Sequence, residues 1–161
     1  RELADIIFRY GEDRDSRKIA RAIVANRPLH TTRELVAVIE RVSPRRGDRV
    51  HPATRTFQAL RIAVNEELVG VEKVLPQVVA GLKFGGRLAV ISFHSLEDRI
   101  VKDYFREHSR DLVNPPYEKI YEVERSATLK LISKKPIVPT NEEIKDNPRA
   151  RSAKLRVVEK L

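Results

Sequence analysis

Apolar residues recur at helical spacing over the first part of the chain, and the period shortens near residue 86. Leu3, Ile6, Ile7 and Tyr10 fall on one helical face, and Ile19, Ala20, Ala22, Ile23 and Val24 form a second stripe. Thr31 and Glu34 make a capping box ahead of Leu35, Val38 and Ile39, and Pro28 and Pro44 punctuate the pattern. Residues 1–50 therefore predict short amphipathic helices that pack as a small bundle or as a cap on another layer. The stretch "SPRRGDRV" at 43–50 reads as a basic loop, and Pro52 stands where a first helical turn accepts proline. A long helical pattern follows, through Phe57, Leu60, Ile62, Val64 and Leu68 and on through Val71, Val74, Leu75, Val78 and Leu82. Pro76 is expected to kink or split it.

Gly85-Gly86 ends that helix. The next run, "RLAVISF" at 87–93, is continuously apolar and predicts a strand buried on both faces. His94-Ser95 closes the strand, and Leu96, Ile100, Val101, Tyr104 and Phe105 return to helical spacing. Residues 109–127 are polar and irregular. Leu129, Leu131 and Ile132 mark a second strand, Asn141 is expected to cap a short helix ending before Asn147-Pro148, and Leu155, Val157 and Val158 mark a last strand. Residues 51–161 thus read as the closing half of an open α/β sheet whose last two strands can pair antiparallel. Three strands with two flanking helices make a poor independent core, and one long edge would stay open.

Composition narrows the class. The 161 residues fit one ordinary domain, or one and a small piece of another, and 41% hydrophobic with 34% charged residues is a globular composition. No apolar run approaches the roughly 20 residues that span a bilayer, and no charged-then-apolar leader is visible. Cysteine is absent, which excludes disulfides and thiolate metal sites and suits a cytoplasmic protein. His30, His51, His94 and His108 share no metal-ligand spacing, so no metal site is expected. The balance of 32 Lys+Arg against 23 Asp+Glu, a net charge of +9, points to a polyanionic partner. The chain starts at Arg1 and contains no methionine, so a fragment or processed chain is expected.

Asn114-Pro115-Pro116-Tyr117 matches the pattern with which amino-group methyltransferases grip an exocyclic amine. That chemistry needs the motif at the carboxyl end of a buried strand. Five of the nine residues before it, "FREHSRDLV", are charged or His, with only Leu112-Val113 fit for a strand. S-adenosylmethionine also needs a Gly-rich turn after a strand, whereas the glycines at 11, 47, 70, 81, 85 and 86 form no GxG. The motif therefore reads as a Pro-stiffened surface loop.

Three other stretches carry a more specific signal. "HPATRTFQALRIAVNEEL" at 51–68, "GGRLAVISFHSLEDRIVKDYF" at 85–105 and "KKPIVPTNEEIKDNPRARSAKLR" at 134–156 closely resemble the bacterial 16S rRNA cytosine-N4 methyltransferases. Residues 1–42, with "RKIARAIVANR", resemble part of that family's inserted helical domain. The resemblance implies the C-terminal half of a class I (Rossmann-like) methyltransferase sheet over residues 51–161 and part of an inserted α-helical domain over 1–50. It implies S-adenosyl-L-methionine as donor and, as partner, 16S rRNA of the small ribosomal subunit, modified at a cytidine amine in the decoding region. The donor-binding half would lie outside this chain, leaving it inactive alone. Phe84 stands where the family usually has proline.

Within that frame Ser92, His94 and Ser95 follow the strand and are candidates for the cytidine pocket, with His94 a possible proton acceptor. The alternative is structural, with Ser95 capping the next helix and reaching toward Asp98, and His94 a turn residue. Arg45, Arg46 and Arg49 in the basic loop, Arg55, Gln58 and Arg61 on the following helix, and Arg149 and Arg151 in the tail are candidate RNA contacts. Lys154 and Arg156 continue that basic stripe. Each set also reads as a solvated charged face. The competing reading of the whole chain is a non-catalytic basic RNA-binding or assembly module. Oligomeric state is not legible.

Overall fold

The computed structural model describes residues 1–44, 51–113, 123–124 and 126–161. The chain divides into two compact units, Arg1–Glu67 and Leu68–Leu161.

The first unit is helical. It contains α1 (Glu2–Gly11), α2 (Ser16–Ala25), α3 (Thr32–Val42) and α4 (Pro52–Asn65). Ala4, Ile7, Ile19, Ala20, Ile23, Val38, Ile39 and Ala53 form one buried cluster, with Leu3, Leu35 and Phe57 packed against it. Thr31 and Glu34 form the capping box that the sequence predicts, with Glu34 also accepting from the His30 amide. Pro52 opens α4, where its missing N–H costs nothing, and the His51 ring nitrogen accepts the Ala53 amide at 3.2 Å. α1 packs closely on α4 because Gly11 lacks a side chain. A Cβ there would stand 2.7 Å from the Arg55 carbonyl oxygen. The sequence pattern puts the boundary after residue 50; in the structure α4 belongs with α1 and α3, and the division falls at Glu67. Buried Ala53, Thr56, Ala59 and Ile62 give α4 a stripe facing its own helical neighbours.

The expected break at Pro76 lies elsewhere. Glu66 adopts left-handed backbone at φ 51 and ends α4, while Pro76 sits inside an unbroken α5 (Glu67–Gly81). The break is braced by Arg61, whose guanidinium makes two bonds to the Glu67 carboxylate at 2.8 and 3.0 Å.

The second unit pairs a small sheet with helices. β1 (Arg87–Ser92), β4 (Leu129–Leu131) and β5 (Lys154–Lys160) form a three-stranded sheet in the order β1-β5-β4, antiparallel at both junctions. α6 (Ser95–His108) follows β1. β2 (Leu112–Val113) and β3 (Val123–Glu124) make a separate ribbon, and α7 (Asn141–Asp146) and a 3-10 turn (Pro148–Ser152) precede β5. Thr140, one residue before the expected Asn141, caps α7 through the Glu143 amide. Leu75, Val79, Val101, Phe105, Leu129 and Val158 form the core, with Leu88, Val90 and Leu131 turned into it.

The apolar run 87–93 is buried on one face, not two. Leu88, Val90 and Ser92 point inward, while Ile91 and Phe93 are 58% and 55% exposed. Among the described residues no strand covers the other edge of β1 and no helix covers that face. The continuous pattern reports two apolar faces; only one has a partner here. At the other end, Lys160 in β5 donates to the carbonyls of Val79, Ala80 and Leu82, satisfying the last turn of α5.

Candidate functional site

The junction between β1 and α6 gathers Ser92, His94 and Ser95. Ser92 is buried on the inward face of β1, and its hydroxyl donates weakly to the Lys154 carbonyl at 3.4 Å. It is a packing residue of the sheet. His94 is the N-cap of α6: its Nδ1 accepts the Glu97 amide at 3.3 Å. Ser95 is the first helical residue and is exposed, so it is not the cap. The spacing hides this because His stands where Ser or Thr usually caps. Glu97 completes the arrangement by accepting the Phe93 amide at 3.0 Å. "HSLE" thus has the spacing of a capping box with an unusual first residue, which is the available signal for Glu97.

Capping sets the chemistry of the ring. A nitrogen that accepts an amide hydrogen carries none of its own, so neutral His94 holds its proton on Nε2. His94 therefore has no free lone pair to act as the expected proton acceptor. Its Nε2 is buried, without a hydrogen-bond partner among the described residues, and lies 3.3 Å from Glu97 Oε1.

One turn further, Asp98 is buried and holds Arg156 through two bonds, at 2.7 Å from Nε and 3.1 Å from the terminal nitrogen, with Lys154 Nζ at 3.2 Å. The Arg156 hydrogen bonds hold its carboxyl below the ordinary carboxylate range. Burial opposes the shift, and Lys154 adds to it. Arg156 and Lys154 are thus bound to an acid, not striped along a solvated tail. Arg149 and Arg151 remain exposed on the 3-10 turn.

In the helical unit, Arg55 is exposed on α4, Gln58 donates to the Tyr10 carbonyl at 3.2 Å and ties α4 to α1, and Arg61 is engaged by Glu67. Of those three, only Arg55 has a side chain without a partner among the described residues. Arg45, Arg46, Arg49 and the Asn114–Tyr117 motif lie outside the described residues.

The whole sequence matches the MraW methylase family over residues 1–161, and the chain belongs to it. It is 52% identical over 160 residues to Ribosomal RNA small subunit methyltransferase H of Dehalococcoides mccartyi, covering 99% of this chain and 46% of that protein. The protein of the same name from Nostoc punctiforme is 53% identical over 162 residues, covering 99% and 48%. That from Lawsonia intracellularis is 50% identical over 165 residues, covering 99% and 53%. The chain spans about half the length of the curated relatives it matches.

Proposed function

We propose that these residues are the C-terminal half of an S-adenosyl-L-methionine-dependent rRNA methyltransferase that modifies the N4 amine of a cytidine in the decoding region of 16S rRNA, in the cytoplasm. The observation that carries this reading is identity of about half, along 99% of the chain, to proteins named Ribosomal RNA small subunit methyltransferase H. A non-catalytic RNA-binding module is not favoured by that likeness.

The residues described here do not fit the donor. A sulfonium nucleoside needs a Gly-rich turn after a strand. Here β1 is followed by Phe93-His94-Ser95, and Gly85, at φ 74, precedes it. The donor would be held by the other half of the polypeptide. Two features support a sheet that continues into such a half, as in the Rossmann-like methyltransferases: the open edge of β1, and the exposed apolar side chains of Ile91 and Phe93. Residues 1–50 would be part of the inserted domain, and exposed Arg55, Arg149 and Arg151 would meet RNA phosphates.

The test is incubation of the full-length protein with small ribosomal subunits and the donor, followed by nucleoside mass spectrometry. A new N4-methylcytidine is expected. No new methyl group, or one on another base, would contradict the reading.

A further inference from the structure

α2 carries a run of cations with no acid among them. Ser16, Ile19, Ala20 and Ile23 are its buried residues, while Arg17, Lys18 and Arg21 are exposed, and Arg14 is exposed in the turn before them. None of these four cations makes an ion pair with a carboxylate among the described residues. Two acids of the same turn are committed elsewhere. Asp13 is buried and accepts the Asp15 amide at 2.9 Å, and Asp15 accepts the Ser43 hydroxyl at 3.0 Å. A merely solvated helix face commonly alternates its charges, and this one does not. Arg21 Nε donates to the Arg17 carbonyl at 3.3 Å, which ties the side chain to the helix and leaves its terminal nitrogens for a second acceptor. Both arginines line a groove of ≈ 930 Å³ between α1 and α2, together with apolar Leu3, Ala20 and Val24. Asp5 is the only carboxylate among its lining residues.

We propose that this α1–α2 face docks the backbone of an unpaired RNA strand. Arg17 and Arg21 stand one helical turn apart, about 6 Å along the axis, a spacing comparable to that of successive phosphates on a strand. Each guanidinium presents a fork of donors that matches phosphate oxygens. Arg14 and Lys18 add to the positive field, and the apolar side chains of the groove take the sugar or base between the phosphates. The choice of RNA over an acidic peptide rests on the methyltransferase reading above. The face would hold RNA that flanks the reacting nucleotide. Phosphate contacts of this kind position the strand and carry no sequence information, so they set affinity and leave the chemical step alone.

The experiment uses the full-length protein with Arg17→Ala and Arg21→Ala together, the pair Arg17→Lys and Arg21→Lys, and a control pair Arg33→Ala and Arg41→Ala. The control removes the same charge from α3, where both arginines are exposed. Alanine is the strongest helix former, so α2 is kept. Fluorescence anisotropy with a single-stranded 16S rRNA fragment over a salt series should show the α2 alanine pair losing about 0.7 in log–log slope per contact removed. The lysine pair and the control pair should keep the wild-type slope. In methyl transfer, the KM for small-subunit RNA should rise about tenfold in the α2 alanine pair, with kcat unchanged. A folded α2 alanine pair with the wild-type slope and KM, or a control pair with an equal loss, would overturn this surface alone. Polyglutamate that displaces the RNA from the wild-type protein at equal charge concentration would give the face to an acidic protein and overturn it too. The expected loss of slope in a protein that transfers no methyl group would remove the proposed function and leave this surface standing.

Discussion

Asp98 shows how a single side chain can redirect a sequence reading. Lys154 and Arg156 look like part of a basic stripe until the partner 56 and 58 residues away is known. Nothing local in the sequence signals a pairing across that distance. With the carboxylate removed, both cations lose their shared acceptor. Asp98→Asn should therefore cost about 1.5–3 kcal/mol in denaturant unfolding at pH 7, the range for hydrogen bonds to charged groups. The pH dependence follows from the lowered folded value. The unfolded carboxyl takes its proton near pH 4, before the folded one does. The stabilisation is then full above about pH 5 and is lost as the pH falls through the folded value. Asp98→Asn should flatten that acid limb, and an unchanged limb would show that other carboxylates carry it. His94 is the opposite case: the sequence singles it out, but its role as a helix cap depends on which ring nitrogen faces the Glu97 amide.

At the scale of elements, helices with strong caps and clear stripes are legible, as at Thr31–Glu34 and along Ile19 to Ile23. Two features are not. Pro76 looks like the break, yet the helix stops where Glu66 turns left-handed, a backbone choice that a Glu-Glu pair does not announce. The run 87–93 looks buried on both faces because hydrophobicity reports what a face can pack against, not whether the partner is present. Gly11 gives a direct check on helix packing. Gly11→Ala must push α1 away from the Arg55 carbonyl and should destabilise the helical unit by about 1–3 kcal/mol. Thermal unfolding followed by circular dichroism would report it, and an unchanged midpoint would mean that the packing relaxes freely. In the other unit, Phe105, 1% exposed, fills the core beneath the sheet. Phe105→Ala should cost about 3–5 kcal/mol in the same measurement.

For the whole molecule, the motifs carry family membership, and the match over residues 1–161 bears that out. Charge balance points to a polyanion, but only the described side chains separate committed cations from exposed ones. Arg61, Lys154 and Arg156 already hold acids, while Arg55, Arg149 and Arg151 are exposed. Arg149→Ala with Arg151→Ala should therefore reduce the salt dependence of RNA binding by the full-length protein, by about 0.7 in log–log slope for each phosphate no longer neutralised. Arg156→Ala should act on folding instead. The donor pocket is not legible in these residues because, among the described residues, no strand runs into a Gly-rich turn. Under the proposed function, the sheet would be shared with a second half that builds that pocket. Calorimetric titration of S-adenosylmethionine, side by side, into the 161-residue chain and into the full-length protein tests it most directly. Saturable binding is expected for the full-length protein and none for the 161 residues; saturable, equally tight binding by the 161 residues alone would contradict it.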